Sequence, residues 1–255
     1  MKIITYNVNG LRAAITKGLP EWLAQENPDV LCIQETKLQP DQCPTEVFEA
    51  LGYKTYLYSA QKKGYSGVAL LVKKEPDHVE YGMGLDLYDY EGRFIRADYG
   101  DLSIVSVYHP SGTSGEERQA FKMAWLEAFQ NYVVDLQKTH KKLILCGDYN
   151  ICHEEIDIHD PKRNAANSGF LPEEREWMTR FLSEGFVDTF RYVYPLKQEY
   201  TWWSYRFNSR AKNKGWRIDY CMVSESVKPQ IKDAYILNGA VHSDHCPMVL
   251  ELALP

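Results

Sequence analysis

Apolar residues occur along the chain in short runs, and these runs alternate with stretches in which the apolar positions follow a helical period. In the first part of the chain, the runs typical of β-strands are residues 2–6, 29–34, 53–59, 67–73, 94–99, 102–108 and 142–147. Residues 29–34 are mainly apolar on both faces, which predicts a strand buried on both sides. Residues 11–26 and 116–138 have apolar positions at helical spacing and predict two amphipathic helices.

The second part of the chain repeats this alternation. A polar loop at residues 153–171 precedes a predicted helix with Pro172 in its first turn. Further strands are predicted at residues 199–204, 217–223, 232–237 and 247–253. The order of strands, helix, strands and helix predicts an α/β fold in which two sheet-and-helix halves pack face to face. Because no linker interrupts the pattern, we predict a single domain over residues 1–255.

The composition is typical of a globular protein without a membrane segment. Hydrophobic residues make up 44% of the chain, which is enough for a substantial core. No apolar run is long enough to cross a bilayer, and the N-terminus lacks the apolar segment of a signal peptide. The six cysteines are scattered without a CxxC pair. We therefore expect reduced cysteines in a reducing compartment, with neither a disulfide framework nor a structural zinc site.

The net charge of −6 by itself argues against a nucleic-acid-binding protein, because such domains are usually basic. The distribution of the charge changes this interpretation. Residues 206–217 contain five lysines or arginines and no acidic residue. Contacts to a nucleic-acid backbone depend on the local potential, so this segment predicts a binding patch within an acidic chain. The alternative is a run of solvated charges without a ligand.

Polar residues interrupt the apolar pattern at the ends of the predicted strands. Glu35 follows the strand at residues 29–34, and Asp148 and Asn150 follow the run that ends at residue 147. The other polar residues in such positions are Asn7, Asn9, Asp219, Asp244 and His245. Each alone is explained equally well by a turn, a helix cap or a surface charge pair. As a set, they are predicted to converge on one cleft if their strands are neighbours.

The residue types in this set indicate a chemistry. Carboxylate and amide oxygens, without cysteine and with one histidine, suit Mg²⁺, or Mn²⁺ as its substitute, better than zinc. Aspartate and asparagine side by side can orient a water molecule and a phosphate oxygen. Histidine beside aspartate can be held protonated against phosphate charge. A Lewis acid, a base for water and donors to phosphate oxygens are what metal-assisted phosphodiester hydrolysis requires.

An ordered series of motifs carries a resemblance to a known family: YNVNGLRA (6–13), QETK (34–37), GYSGVALL (64–71), GDYN followed by HEEID (147–157), TWWSYRFNSRAKNKGWRIDY (201–220) and SDHCP (243–247). Over essentially its whole length, the chain resembles the exonuclease III-type apurinic/apyrimidinic endonucleases of the endonuclease/exonuclease/phosphatase superfamily. The resemblance implies a four-layer α/β sandwich, in which two mixed β-sheets pack face to face between helices. It also implies cleavage of DNA 5′ to abasic sites, with 3′→5′ exonuclease and 3′-end trimming activity.

The resemblance implies a metal site for one or two ions. The residues that it assigns to the metal are Asn9, Glu35 and Asp244, with Asp148, Asn150 and His245 at a second ion if two ions bind. Asn7 is implied to orient either the scissile phosphate or a catalytic neighbour. These assignments agree with the preference for Mg²⁺ that the residue types indicate.

The remaining catalytic roles follow from the same resemblance. Asp148 is implied to position and deprotonate the attacking water, and Asn150 to donate to the phosphate. His245, paired with Asp219, is implied to be the imidazolium that stabilises the transition state. Tyr108 is implied to contact the phosphate, as a phenol or as a phenolate.

The implied substrate site contains Trp202, Trp216 and Ile218, which match the apolar pocket in which the family accepts a flipped-out abasic sugar. Two large aromatic rings exclude an intact base sterically. The alternative for tryptophans is the hydrophobic core, which we favour for Trp203. The polar or basic residues near the motifs that are predicted to contact DNA are Arg12, Lys37, Tyr65, Arg93, Asn167, Tyr205, Arg206, Arg210, Lys212, Lys214 and Arg217.

Three positions depart from the family pattern. Ser111 stands where the family normally has an amide side chain, and Trp202 stands where phenylalanine is common. Arg206 occupies a position from which an apolar residue can wedge into the minor groove. These departures leave open the balance between cleavage at abasic sites, 3′→5′ exonuclease activity and 3′-end trimming.

Two other functions are compatible with parts of the sequence: hydrolysis of lipid or inositol phosphates on the same fold, and a catalytically inactive scaffold that binds nucleic acid. The segment 201–217 and the HEEID motif favour DNA, and the complete polar set argues against an inactive protein. We expect double-stranded DNA with abasic or blocked 3′ ends as the partner, no membrane partner, and a monomer. The expected location is the cytoplasm of a bacterium, or the nucleus if the chain is eukaryotic.

Overall fold

A computed structural model describes residues 1–254 of the chain. Its strands are β1 (Lys2–Asn7), β2 (Val30–Gln34), β3 (Lys54–Tyr58), β4 (Val68–Val72), β5 (His78–Tyr81), β6 (Phe94–Tyr99), β7 (Leu102–Tyr108), β8 (Lys142–Asp148), β9 (Phe186–Asp188), β10 (Asp219–Ser224), β11 (Ile231–Ile236) and β12 (Met248–Leu252). They form two sheets of six strands, with the orders β11-β12-β1-β2-β4-β3 and β5-β6-β7-β8-β10-β9.

Each sheet is mixed, with one parallel pair at its centre. β1 and β2 are parallel in the first sheet, and β7 and β8 are parallel in the second. The carboxyl ends of parallel neighbours lie at the same edge of a sheet. The residues that follow these strands therefore come together, as the polar residues at strand ends predicted.

The helices are α1 (Leu11–Thr16), α2 (Leu19–Glu26), α3 (Thr45–Glu49), α4 (Asp86–Asp89), α5 (Glu116–Leu136), α6 (Pro161–Asn164), α7 (Pro172–Ser183) and α8 (Thr189–Val193). Helices α1, α2, α3, α5 and α7 cover the outer faces of the sheets, whereas Phe190 of α8 belongs to the core between them. Short 3₁₀ turns lie at Pro40–Gln42, Glu155–Asp157, Arg206–Asn208 and Lys228–Gln230. In residues 1–254, no helix has both the length and the apolar character needed to cross a membrane.

The buried apolar residues form three layers of core, as expected for a four-layer sandwich. One core lies between the two sheets and contains residues such as Leu70, Ile104 and Ile144. The second lies between the second sheet and helices α5 and α7, and includes Trp125 and Trp177. The third packs α1, α2 and α3 against the first sheet. The fold class implied by the resemblance is confirmed.

One glycine is required by the close approach of β7 and β8. A Cβ at Gly147 would lie 1.8 Å from the carbonyl oxygen of Val107, its partner in the parallel register. No other residue fits there without moving a strand. The position matters for function because Gly147 immediately precedes Asp148, so the glycine determines how closely this carboxylate approaches Tyr108.

Three details of the predicted fold are wrong. The helix predicted at residues 11–26 is divided at Gly18, which has a φ of 92° and separates α1 from α2. Residues 199–204 do not form a strand; Trp202 makes only isolated bridges to Trp216 and His245. This segment lies between the loops that precede β10 and β12, so it has no continuous strand to pair with.

The third wrong detail is the division into two halves. β12 pairs antiparallel with β1, and β11 pairs with β12, so the end of the chain returns to the first sheet. The hydrophobic pattern predicts strands but carries no information on which strands pair. The strands β5 and β9 were not predicted, since they contain only four and three residues.

Candidate active site

The strand ends from both sheets border a cleft of about 1110 Å³ at one edge of the sandwich. The predicted site residues that line it are Glu35, Tyr108, Asp148, Asn150, Asn167, Trp202, Arg206, Trp216, Ile218, Asp244 and His245. Ser111 lines it as well. Asn7 and Asp219 are buried beneath these residues. The set read from the strand ends therefore converges on one site.

Asn7 connects the two sheets beneath the cleft. Its Nδ2 donates to Glu35 Oε1 and to Asp148 Oδ2, both at 2.9 Å, and its Oδ1 accepts from the backbone N–H of Asn9 at 3.0 Å. The side chain is fully buried. Of the two roles predicted for Asn7, this geometry favours orientation of catalytic neighbours, because both amide hydrogens are directed at carboxylates.

The predicted metal ligands Asn9 and Glu35 both contact the side chain of Lys37. The ammonium group of Lys37 contacts Asn9 Oδ1 and lies 3.1 Å from Glu35 Oε2. Burial disfavours the ionised form of Glu35, but Lys37 and the Asn7 amide outweigh it and lower the pKa of this carboxyl. The oxygens of Asn9 and Glu35 thus already stabilise positive charge, which is what a metal ligand pair must do.

A second grouping of possible ligands contains Glu35, Asp148 and His245, whose ligand atoms lie within 4.8 Å of one another. Two carboxylates and one imidazole suit a hard divalent cation. The predicted ligand Asp244 stands to one side: its Oδ1 accepts from Asn9 Nδ2 at 2.9 Å and its Oδ2 from Trp202 Nε1 at 3.0 Å. Glu35 belongs to both groupings, so it is the residue that either metal position requires.

His245 is held as an imidazolium by three carboxylates. Its Nδ1 lies 2.9 Å from Asp219 Oδ2, and its Nε2 lies 3.9 Å from Asp148 Oδ2. Burial disfavours the charged ring, but Asp219, Asp148 and Asp244 outweigh it and raise the pKa of His245 to about 10. At neutral pH the ring is protonated, with Nδ1 donating to Asp219 and Nε2–H available towards the cleft.

At Asp148, in contrast to His245, burial outweighs the interactions that favour the charged form. Burial and the nearby Asp219 carboxylate raise its pKa from the ordinary 3.8 to about 7, although His245 and Asn7 favour the ionised form. A carboxylate with a pKa near neutrality is suited to accept a proton, since general bases work best when their pKa is close to the working pH. The geometry and the electrostatics agree with the base role predicted for Asp148.

Asn150 completes the loop after β8. Its backbone N–H donates to Asp148 Oδ1 at 2.8 Å, and its Nδ2 donates to the carbonyl oxygen of His109 at 2.9 Å and approaches Asp148 Oδ2 at 3.4 Å. The side chain thus fixes the loop against the end of β7. Tyr108 lies in the same strand end, and burial together with Glu35 raises the pKa of its hydroxyl well above 10. Tyr108 is therefore a neutral phenol at neutral pH, which disfavours the phenolate alternative.

Four residues around the cleft adopt left-handed backbone conformations. The φ angles are 48° at Asn9, 52° at Glu35, 53° at Lys37 and 52° at Asn150. Such angles are uncommon outside glycine, and strained backbone often occurs at functional sites. Backbone hydrogen bonds hold two of these residues in place. The carbonyl oxygen of Glu35 accepts from the N–H of Gly10 at 2.8 Å, and the N–H of Lys37 donates to the carbonyl oxygen of Ser66 at 2.9 Å.

An aromatic corner borders the catalytic groups. The rings of Trp202 and Trp216 meet edge to face, with centroids 6.0 Å apart and an interplanar angle of 83°. Trp202 is also 6.4 Å from the His245 ring, and Ile218 forms the buried floor beside them. Trp203 is buried in the core between the sheets, as we favoured from the sequence. An apolar pocket next to the proposed phosphate site is therefore present.

Nine of the eleven residues predicted to contact DNA remain accessible. Those that are exposed are Arg12, Asn167, Tyr205, Arg206, Lys212 and Lys214, and those that are partly buried are Lys37, Tyr65 and Arg210. Phe207, beside Arg206, is 86% exposed and was not predicted to take part. The exposed apolar residue of this segment is thus Phe207, whereas Arg206 lines the cleft.

The other two predicted contacts, Arg217 and Arg93, are internal, which corrects the sequence interpretation for these residues. The Arg217 side chain is buried and pairs with Asp157 and Asp188, with two bonds of 2.7 Å. Arg93 is buried between Glu91 and Tyr108. Arg210 is partly buried, and its guanidinium donates to three backbone carbonyl groups of the segment 238–243. Because the charge of Arg217 is compensated inside the protein, the basic patch is smaller than its sequence suggested.

Replacement of Arg217 by methionine is expected to lower the free energy of unfolding by about 3–5 kcal/mol, because it leaves the buried carboxylate of Asp188 without its cationic partner and removes one of the two arginines, Arg217 and Arg191, that pair with Asp157. Urea unfolding measures this change. In contrast, Arg206→Met should leave the stability unchanged and lower the salt dependence of DNA binding by about one ion if Arg206 contacts a phosphate. If the Arg217→Met protein were stable and its DNA binding depended less on salt, Arg217 would be a DNA contact and not an internal residue.

One side of the cleft was not predicted from the sequence. It consists of the loop after Tyr108, the beginning of α5 and the loop before α7, and its lining residues include Gly112, Thr113, Gly115, Glu116, Gln119, Ala120, Met123, Ser168, Gly169 and Leu171. None of them follows a strand directly, so the reasoning from strand ends could not find them. The small residues after Ser111 predict a loop, but the sequence does not show which segments this loop lies against.

Comparisons with known proteins agree with this geometry. The profile of the endonuclease/exonuclease/phosphatase family matches residues 4–245. An exodeoxyribonuclease of Bacillus subtilis is 47% identical over 98% of this chain and 98% of its own. A DNA repair nuclease, APEX1, of Danio rerio is 44% identical over 100% of this chain and 83% of its own.

A solved structure extends the comparison to the fold. The AP endonuclease of Archaeoglobus fulgidus superposes with a TM-score of 0.91 at 30% identity, and the alignment covers 100% of both chains. The cleft, the strand-end residues and the sequence similarity thus lead to one conclusion. This chain belongs to the endonuclease/exonuclease/phosphatase family, in the branch of the exonuclease III-type nucleases of DNA repair.

Proposed function

We propose that this chain cleaves the backbone of double-stranded DNA 5′ to abasic sites, with Mg²⁺ as the physiological ion, and trims 3′ ends in the same cleft. The observation that carries the proposal is the juxtaposition of an imidazolium–carboxylate centre and an aromatic corner: His245 contacts Asp219, and Trp202 lies beside its ring. Phosphodiester chemistry requires the first, and recognition of a missing base requires a pocket such as the second.

The reaction is an in-line attack of water on the phosphorus, in which the bond from phosphorus to the 3′ oxygen breaks. Asp148 accepts the proton of the attacking water, and its position between Asn7 and the backbone N–H of Asn150 directs its oxygens. The products are a 3′-hydroxyl and a 5′-deoxyribose phosphate. The leaving 3′ oxygen takes a proton from the solvent or from a neighbouring acid.

His245 opposes the negative charge that develops on the phosphate oxygens. Its Nε2–H remains available because Asp219 binds the other ring nitrogen. A preorganised charged donor of this kind costs no reorganisation during the reaction. Glu35 with Asn9 and Asp244 would hold a divalent ion, which would supply Lewis-acid stabilisation of the same charge. An ion held by Glu35, Asp148 and His245 would require His245 to lose its Nε2 proton, so that grouping does not fit the imidazolium role.

Selectivity for an abasic site is proposed to come from steric exclusion. The edge-to-face rings of Trp202 and Trp216, with Ile218 beneath them, offer apolar surface to a sugar, and the indole N–H of Trp202 is already bound to Asp244. An extrahelical nucleotide with its base would have to displace one of the two rings. The proposal of trimming at 3′ ends is supported by the similarity to the exodeoxyribonuclease of Bacillus subtilis.

The test is a cleavage assay on a duplex with one tetrahydrofuran analogue of an abasic site, with and without EDTA. We expect a single incision 5′ to the analogue, no incision in EDTA, and recovery on addition of excess Mg²⁺. An intact duplex of the same sequence is the control for selectivity. Cleavage that persists in EDTA would contradict the metal dependence, and equal internal cleavage of the intact duplex would contradict the selectivity.

A further inference from the structure

Two charged side chains that the catalytic roles do not use are buried behind the cleft. Lys122 lies on α5 and Glu174 in the first turn of α7, and both are completely inaccessible to solvent. Lys122 Nζ contacts Glu174 Oε1 at 2.5 Å. Burial of two charges carries a desolvation cost that their mutual attraction often does not recover. Their remaining contacts are therefore informative about what the pair does.

Lys122 also contacts the loop after β8 that contains Asn150, called the catalytic loop below. Its Nζ donates to the backbone carbonyl oxygen of Asn150 at 2.8 Å. Asn150 has a left-handed backbone, and its own N–H holds Asp148 Oδ1 at 2.8 Å. The ammonium group thus fixes the carbonyl side of the peptide plane that follows Asn150. Through it, Lys122 constrains the loop that directs the proposed base.

Glu174 reaches from the same pair to the wall of the apolar pocket. Its Oε2 accepts from the backbone N–H groups of Gly169 at 2.6 Å and Leu171 at 3.0 Å. Its Oε1 also accepts from Ser168 Oγ at 3.1 Å. Gly169 lies against Trp216: a Cβ added there would be 2.9 Å from the indole ring and 3.3 Å from the carbonyl oxygen of Asn150.

We propose that the Lys122–Glu174 pair is a positioning device that holds the catalytic loop at Asn150 and the pocket wall at Gly169 in one fixed arrangement. Both residues act through others, since neither lines the cleft. The pair links the proton-accepting loop to the surface that selects the substrate. The role of the pair at the Gly169 wall, where the substrate is selected, rests on the proposed function. Its role at Asn150 requires only that the chain hydrolyses DNA.

A set of four variants separates positioning from stability. Lys122→Met leaves a buried carboxylate without its partner and should lower the melting temperature. The double variant Lys122→Met, Glu174→Gln contains no unpaired charge, and its glutamine oxygen can still accept from Gly169, so its melting temperature should return towards that of the wild type. Glu174→Gln alone is the third variant. Glu176→Gln is the matched control, because Glu176 lies on the same helix but is exposed.

All variants are measured with Mg²⁺ below their melting temperatures on two substrates, the tetrahydrofuran duplex and an intact duplex with a recessed 3′ end. In the double variant we expect kcat on both substrates to be lower by about 10- to 10²-fold with little change in KM, because small displacements of a catalytic group have effects of this size. The preference for the tetrahydrofuran duplex should also fall, whereas Glu176→Gln should match the wild type.

The outcomes distinguish this proposal from the proposed function. If the double variant regains wild-type kcat together with its stability, the pair is only structural and the inference is overturned. If kcat falls but the substrate preference does not, the role at the Gly169 wall is overturned and the role at Asn150 stands. A wild type without preference for the tetrahydrofuran duplex contradicts the proposed function, while the recessed-end substrate still tests the pair.

Discussion

Replacement of Asp148 by asparagine is expected to lower kcat by about 10²- to 10⁴-fold, which is the contribution typical of a general base. The side chain keeps its shape and its place beside Asn7 Nδ2, but it can no longer accept a proton from water. Because burial and Asp219 raise the pKa of Asp148 to about 7, the ionised form is less favourable in the folded protein than in the unfolded chain. Above pH 7 the neutral asparagine should therefore not destabilise the fold.

This expectation is checked by single-turnover kinetics and a thermal melt at pH 8. Asp101→Asn is the matched control, since Asp101 is exposed and pairs with Lys142 at the opposite end of the same strand, β8. The control should have wild-type activity. An Asp148→Asn protein that is stable and retains activity within a few-fold of the wild type would rule out Asp148 as the base.

Replacement of His245 by asparagine is expected to lower kcat by about 10²- to 10³-fold, the loss typical of one preorganised donor to an oxyanion. The expectation depends on the protonated ring. Since the carboxylates around His245 raise its pKa to about 10, the imidazolium is present throughout the neutral range and is lost as the pH rises through that value. The ratio of wild-type to variant kcat should therefore be constant near neutrality and decrease above pH 10.

The tetrahydrofuran duplex is suitable for this measurement because the analogue is stable to alkali. His78→Asn serves as the control, as His78 is exposed on the edge strand β5. The raised pKa also has a consequence for stability: the interaction of His245 with Asp219 stabilises the fold below the unfolded pKa and is lost as the pH rises through the folded pKa. A ratio that rises with pH between 6 and 9 would contradict the imidazolium role.

The polar residues at strand ends could be identified from the sequence because their signal is local. Glu35 and Asp148 each follow a run that is apolar on both faces, and a charge at the end of such a run stands out against the pattern. The parallel pairs β1–β2 and β7–β8 then bring these ends to one edge. The local pattern and the general geometry of mixed sheets were together sufficient to predict that these strand-end residues share one cleft, whereas Tyr108 and the individual roles were implied by the family resemblance.

The basic residues were identified less well, because a charge in a sequence does not reveal its partner. Arg206 and Arg217 lie in the same basic segment, yet the first is exposed and the second pairs with carboxylates from two distant segments. Asp157 and Asp188 are 60 and 29 residues away from Arg217 along the chain. Only packing brings them together, so no pattern within the segment separates a surface arginine from a buried one.

By itself, the sequence determined the class of fold, the type of chemistry and the identity of the central residues, because periodicity and residue type are properties of short segments. The tertiary structure alone decided which strands share a sheet and which basic side chains are accessible to DNA. It also decided how Asn7 and the Lys122–Glu174 pair hold the catalytic loop. These features depend on contacts between residues far apart in the chain. Such contacts are selected by the packing of the whole molecule, and they leave no mark on local composition.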